Sequence, residues 1–220
     1  MRSAQFFVFV LFCACTSAQV PVRDEPRHKV VLQNEYIRLL DVRIPPGDTS
    51  LYHVHEIPSF FIPLSTTITR SQVKGHEPRN WRFPIDSTWY NGFESGPLVH
   101  RVWNIDTNVL HVIDLELLSS KNSPLPETIQ LPFKIDFENQ KLRVYKFDLQ
   151  AYQNLNLPLL KSPMLFISVE GAGAEIKDLR DKNVSYKLVP GGFQWLEPKR
   201  NFKIKNPGPT STRSILILLK

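Results

Sequence analysis

Two stretches of this 220-residue chain repeat one pattern at a fixed distance, and a duplication constrains the fold more than any single motif. Tyr36 to Ile44 (YIRLLDVRI) lines up with Lys141 to Leu149 (KLRVYKFDL) at an offset of 105. The same offset carries Ser59 to Leu64 (SFFIPL) onto Met164 to Val169 (MLFISV). Further on, Asn104 matches Asn206, and Ile113, Leu115 and Leu117 match Ile215, Ile217 and Leu219 at an offset of 102. These matches keep their order with only a three-residue slip, so the chain reads as a duplicated domain. It holds 18 prolines, short β-branched or aromatic runs bounded by turn residues, and no long 3.6-residue apolar period. Each copy is therefore predicted all-β, with about six to eight strands, enough to close a small barrel or two-sheet roll. The polar, proline-containing stretch Ser119 to Glu127 separates the copies. The resulting division is an N-terminal unit at 19–120, a linker at 121–127 and a C-terminal unit at 128–220.

In the last strand of the first copy, Val109, Ile113, Leu115 and Leu117 are apolar, whereas Asp114 and Glu116 are charged. Strand alternation predicts the odd face, His111 included, inward and the even face in water.

Arg2 followed by the apolar run Phe6 to Ala14 and the small residues Thr16-Ser17-Ala18 has the pattern of a secretory signal peptide over 1–18. The expected location is periplasmic or secreted. The alternative is a lipoprotein anchored through Cys15, because Phe12-Cys13-Ala14-Cys15 loosely resembles a lipoprotein box. The apolar run is far short of the roughly 20 residues that cross a bilayer. Both cysteines fall inside 1–18, so the remainder can form no disulfide. Without that segment the net charge drops from +6 to +5, and the basic groupings Arg27-His28-Lys29 and Lys199-Arg200 read as solvated surface. They are too short for a nucleic-acid tract. A homodimer is compatible with the sequence, but no feature selects it.

Gly47-Asp48-Thr49-Ser50-Leu51-Tyr52-His53-Val54-His55 is the most informative stretch. Histidines two apart on a strand share a face, so His53 and His55 can reach one point, and His100 opens a later apolar strand. Three imidazoles around a divalent transition metal would leave positions open for a substrate. At the 105 offset His53 and His55 match Pro158 and Leu160, and at the 102 offset His100 matches Phe202, so the histidines are lost together. Joint loss is expected of one site and not of unrelated surface residues. Ser59, His111 and Tyr52 are the candidates for supporting or substrate-contacting roles. Glu56 should point away, and His76 and Glu77 read as surface. Trp81, Phe83, Trp89, Tyr90 and Phe93 either line an apolar pocket or, more plainly, pack one face of the barrel.

Gly-x5-His-x-His at 47–55, followed by His100-x3-Asn104, resembles the two signature motifs of the cupins. Pro190-Gly191-Gly192 with Asn206 resembles a second cupin motif without metal ligands. With the repeat, the chain resembles a bicupin, most similar to secreted bacterial proteins with a quercetin-dioxygenase-like cupin. The resemblance implies two tandem double-stranded β-helix barrels and one metal ion, iron, manganese, nickel, copper or zinc. The motif glutamate is missing, since Ser59 and Phe60 occupy its positions, and so is the glycine that follows. Three neutral imidazoles leave the metal its full charge, which suits an anionic substrate. Three readings follow: a dioxygenase acting on a small organic anion, a non-catalytic ligand-binding or structural cupin, and a metal-dependent isomerase or lyase.

Overall fold

A computed structural model describes residues 19–118, 131–181 and 183–220. The segment 1–18, with Cys13 and Cys15, and the linker at 121–127 lie outside the described residues. No helix among the described residues is long and apolar enough to cross a membrane.

The N-terminal half contains β1 (Val20–Pro21), β2 (His28–Gln33), β3 (Ile37–Ile44), β4 (His53–His55) and β5 (Ser59–Pro63). It continues with β6 (Thr67–Val73), β7 (Arg79–Phe83), β8 (Trp89–Asn91), β9 (Leu98–Asn104) and β10 (Leu110–Leu117). The C-terminal half contains β11 (Ile135–Glu138), β12 (Leu142–Leu149), β13 (Asn154–Asn156), β14 (Met164–Gly171) and β15 (Ala174–Asp178). It ends with β16 (Ser185–Leu188), β17 (Phe193–Leu196), β18 (Phe202–Lys205) and β19 (Thr212–Leu219). Each half is a two-sheet barrel. The sheets of the first run β1-β4-β9-β6-β7 and β2-β3-β10-β5-β8; those of the second run β13-β18-β15-β16 and β11-β12-β19-β14-β17.

The duplication extends to irregular features. The β2–β3 ladder shifts register between Val30 and Leu32, and the β11–β12 ladder shifts between Ile135 and Phe137, 105 residues later. Asn104 Nδ2 donates to the carbonyls of Ile44 and Asn108; Asn206 Nδ2 donates to those of Leu149 and Thr210. Each buried amide thus ties the end of one strand to the turn that leads into another, and satisfies carbonyls that would otherwise be stranded. Gly47 turns the chain towards the first motif at φ +75°, which a side chain rarely adopts.

The strand alternation expected for β10 is reversed. Ile113, Leu115 and Leu117 do not fill the barrel: with Ile37, Leu39, Phe60 and Ile62 they pack against Leu142, Val144, Leu165, Ile167, Ile215 and Ile217 of the second half. The even residues face the barrel interior instead, where Leu110 and Val112 join Leu40, Val42 and Ile44, and Asp114 and Glu116 are buried. The physical reason is that β10 has no water face. Lodged between its own barrel and its neighbour, it is buried on both sides, so its charged residues mark the barrel interior.

Candidate metal centre

Neighbouring strands deliver the histidines to one point. In the β4–β9 ladder His53 pairs with His100, while His55 follows two residues on and projects from the same face. The ring centroids of His53 and His55 lie 4.6 and 5.1 Å from that of His100. A fourth imidazole, His28 from the start of β2, lies 4.5 Å from His53. Of the set, His28, His53 and His55 can each offer a ligand atom within 4.8 Å of the others. His100 stands beside this trio, so the sequence-derived set of His53, His55 and His100 gains a member that the sequence did not single out.

In three of the four rings one nitrogen is hydrogen-bonded to a neighbour that orients it, which leaves the other available. His28 Nδ1 meets Glu25 Oε2 at 2.5 Å, and His53 Nδ1 donates to the Leu51 carbonyl at 2.9 Å. His100 Nδ1 meets Ser71 Oγ at 3.2 Å. His55 Nδ1 faces Asp114 Oδ2 at 3.5 Å without a hydrogen bond. Nε2 of His53 and of His100 is buried without any protein partner. Native interiors seldom leave such atoms orphaned, and a metal ion would satisfy them.

Electrostatics favour neutral imidazoles, the form that binds metal. Burial, reinforced by the neighbouring rings His28, His100 and His55, holds His53 far below the usual histidine range. Burial with His100 and His28 does the same for His55. Burial and then His28 bring His100 to about 4. For Glu25, burial works against the carboxylate, but hydrogen bonds from His28 and from the Leu51 and Arg27 amides hold it below its ordinary value. Asp114 is the opposite case. Burial, then the nearby Glu116, push its carboxyl well up, and neither oxygen has a hydrogen-bond partner.

The imidazoles border a cavity of about 80 Å³ whose walls are otherwise mostly apolar: Val42, Ile44, Phe61, Trp89 and Val112 among them. Phe61 stacks on Trp89 and Trp89 on Phe83, and Phe93 lies parallel to the His55 ring at 5.7 Å. Phe93 holds φ +56°, a strained backbone for a bulky residue. The aromatic segment therefore divides. Phe83, Trp89 and Phe93 enclose the site, Tyr90 stacks on Phe137 in the second half, and Trp81 is largely exposed.

The second barrel supplies an internal control. Its interior is filled by Phe133, Phe147, Leu157, Leu160, Met164, Phe166, Phe202, Leu216 and Leu218. By register, Phe133 stands where His28 does, stacked on Phe147 at 4.1 Å. Leu157, whose amide donates to Phe202 O, takes the place of His53. This moves the sequence alignment by one residue from Pro158, because strand register and not a constant offset fixes the partner. Met164, Leu216 and Leu218 replace Ser59, Asp114 and Glu116. At these positions the polar interior of the first barrel is replaced by apolar side chains in the second.

The supporting candidates fare differently. Ser59 faces the interior, is fully buried, and donates to the Ile57 carbonyl. Tyr52 points from the opposite face of its sheet and donates to Gln72 Oε1, because residues adjacent along a strand alternate sides. His111 lies on the face turned to the second half, with Nε2 2.7 Å from Asp41 Oδ1, beside Gly191. Neither belongs to the cluster. Glu56, His76 and Glu77 are exposed, as expected. His28 and Asp114, expected at the surface, are buried beside the cavity, and Glu25 is not singled out in the sequence. His28 is buried although it stands in Arg27-His28-Lys29, which reads as a surface grouping; the usable signal was the alternation of His28 with an exposed Lys29.

No protein-family model and no curated protein matches the sequence. Solved structures do resemble the fold. AerE from Microcystis aeruginosa superposes with a TM-score of 0.59 at 14% identity, covering 89% of this chain and 98% of that one. A cupin 2 conserved barrel domain protein from Leptotrichia buccalis gives 0.56 at 8% identity, covering 87% and 88%. A salicylate 1,2-dioxygenase from Pseudaminobacter salicylatoxidans gives 0.52 at 9% identity, covering 84% and 71%. At such identities the likeness establishes architecture alone: the chain has the fold of two tandem cupin barrels.

Proposed function

We propose that the N-terminal barrel holds one divalent transition metal among His28, His53, His55 and His100, and that the protein is an oxygenase acting on a small organic anion. The observation that carries this reading is the convergence of three buried imidazoles and the half-buried His100 on an otherwise apolar cavity, with Nε2 of His53 and of His100 buried and orphaned. A metal there would supply Lewis acidity and, if redox-active, electron transfer. The residues of the chain do the rest. Glu25, the Leu51 carbonyl and Ser71 fix ring orientation, and Asp114 stands within reach of His55. Phe61, Trp89 and Phe93 keep water away. Neutral imidazoles leave the ion's charge largely uncompensated, which favours an anionic ligand. The cavity is about half the ~150 Å³ that admits benzene, so it fits a small molecule or the reactive end of a larger one. Similarity to a dioxygenase supports the reaction class by analogy only.

Metal analysis of the purified protein by mass spectrometry tests the centre. Near one equivalent per chain, lost in His53→Ala and His55→Ala, is expected; no metal even after reconstitution overturns the reading. Oxygen uptake by the loaded protein with a panel of thiols, diketones and aromatic acids then tests the reaction. Turnover without oxygen would favour an isomerase or lyase, and ligand binding without turnover a binding module.

A further inference from the structure

Every residue that faces the metal cavity from β4, β6 and β9 has a neighbour on the outer face of the same sheet, and those neighbours form a second arrangement. Arg101 pairs with Gln72 across the β6–β9 ladder, Trp103 with Arg70, and Arg70 in turn with Asn80. The Arg101 guanidinium lies 4.7 Å above the Tyr52 ring and 4.2 Å above the Trp103 ring. Its Nε and Nη2 both donate to Gln72 Oε1, at 3.1 and 2.9 Å, and the Tyr52 hydroxyl donates to the same oxygen. Arg70 Nε donates to Asn80 Oδ1 at 3.0 Å. An open groove of about 670 Å³ runs over this face, lined by Arg70, Gln72, Pro78, Arg101, Trp103 and Asp106.

The charges in the groove are not paired with one another. Among the described residues neither Arg70 nor Arg101 forms an ion pair. Both are held by neutral side-chain oxygens, which orient a guanidinium without cancelling its charge. The one carboxylate, Asp106, is occupied by backbone: Oδ2 accepts from Ile68 N and Oδ1 from the amides of Thr107 and Asn108. An arginine has five N–H donors, so each keeps several for a ligand, and its planar fork matches an oxyanion. Stacking between two rings fixes the Arg101 fork in advance, which lowers the entropy lost on binding.

We infer that this groove binds a small organic carboxylate, with the carboxylate oxygens held by Arg70 and Arg101 and the carbon skeleton against Trp103 and Pro78. The site is separate from the metal cavity, since alternation along β4 and β9 puts Tyr52 and Arg101 on one side of the sheet and His53 and His100 on the other.

Titration calorimetry of the full protein with benzoate, beside its uncharged counterpart benzyl alcohol, tests this. Benzoate is expected to bind, benzyl alcohol to give no comparable heat, and added salt to weaken the interaction. Arg70→Gln and Arg101→Gln should each weaken benzoate binding at least about tenfold. His55→Ala should leave it unchanged, which distinguishes the groove from an anion bound at the metal. Arg70 is exposed, so Arg70→Gln decides the matter if Arg101→Gln fails to fold. The inference is overturned if benzoate gives no heat, if benzyl alcohol binds equally, if the Arg70→Gln protein keeps full affinity, or if His55→Ala abolishes binding.

Discussion

Asp114 and His100 show what the site costs the fold. Asp114 is buried and His100 half-buried, each has a buried polar atom without a partner, and the second barrel carries Leu216 and Phe202 in their places. Replacing buried ionisable groups by packed apolar ones is often stabilising by about 1–4 kcal/mol. The double variant Asp114→Leu with His100→Phe should therefore unfold at higher denaturant than the metal-free wild type while failing to bind metal. A destabilised double variant would show that the polar interior is structural. The pH dependence of the single variant isolates one group. His100 is held at about 4 in the folded protein and titrates near 6.5 when unfolded. Between those values the unfolded chain binds the extra proton, so His100 costs stability progressively as pH falls from about 6.5 towards 4. The stability advantage of His100→Phe over metal-free wild type should accordingly be larger at pH 5 than at pH 7.5. An advantage independent of pH, measured by denaturant unfolding at both values, would contradict this. His53, His55 and His100 were legible because two lie two residues apart and all three vanish together in the repeat. His28 was not, because charged neighbours give it the local composition of a surface.

At the level of elements, the repeat predicted the barrels well and their faces poorly. Ile113, Leu115 and Leu117 look the same in sequence whether they fill a barrel or meet another barrel, because alternation gives two faces without naming what covers each. Only the tertiary arrangement shows that β10 buries both, and that Asp114 and Glu116 point inward. The segment leading into β2 was equally silent, although it carries Glu25 and His28 to the cavity. If Glu25 holds His28 in the ligating orientation, Glu25→Gln should lower metal affinity by about 10–100-fold, the usual effect of losing such a support. Competition with a fluorescent chelator reads this directly; unchanged affinity would remove His28 from the ligand set. The buried Asn206 makes a separate structural prediction. Asn206→Ala strands the carbonyls of Leu149 and Thr210 and should cost about 1–3 kcal/mol of stability without changing metal content.

Over the whole molecule, the sheet β2-β3-β10-β5-β8 lies against β11-β12-β19-β14-β17 through one continuous apolar layer. Phe60, Leu115, Leu165 and Ile217 are fully buried there, and each would be exposed if the halves separated. Polar contacts fringe the layer: Arg213 Nη1 donates to Asp86 Oδ2 at 2.8 Å and Thr88 Oγ1 to Asp136 Oδ2 at 2.9 Å. Burying a Leu, Ile or Phe side chain is worth roughly 1.5–3 kcal/mol, so several such residues make separate unfolding of the halves unfavourable. The filled second barrel then acts as a scaffold for the barrel whose interior is given over to the site. A ligand that binds only the native state stabilises whatever unfolds with its site. Metal added to the protein should therefore raise the temperature of a single calorimetric transition that includes both halves. Leu165→Ala, made in the metal-free half, should lower that same transition by the equivalent of about 2–5 kcal/mol. Two resolved transitions, with metal moving one and Leu165→Ala only the other, would show instead that the barrels fold independently and that the apolar layer is no more than a docking contact.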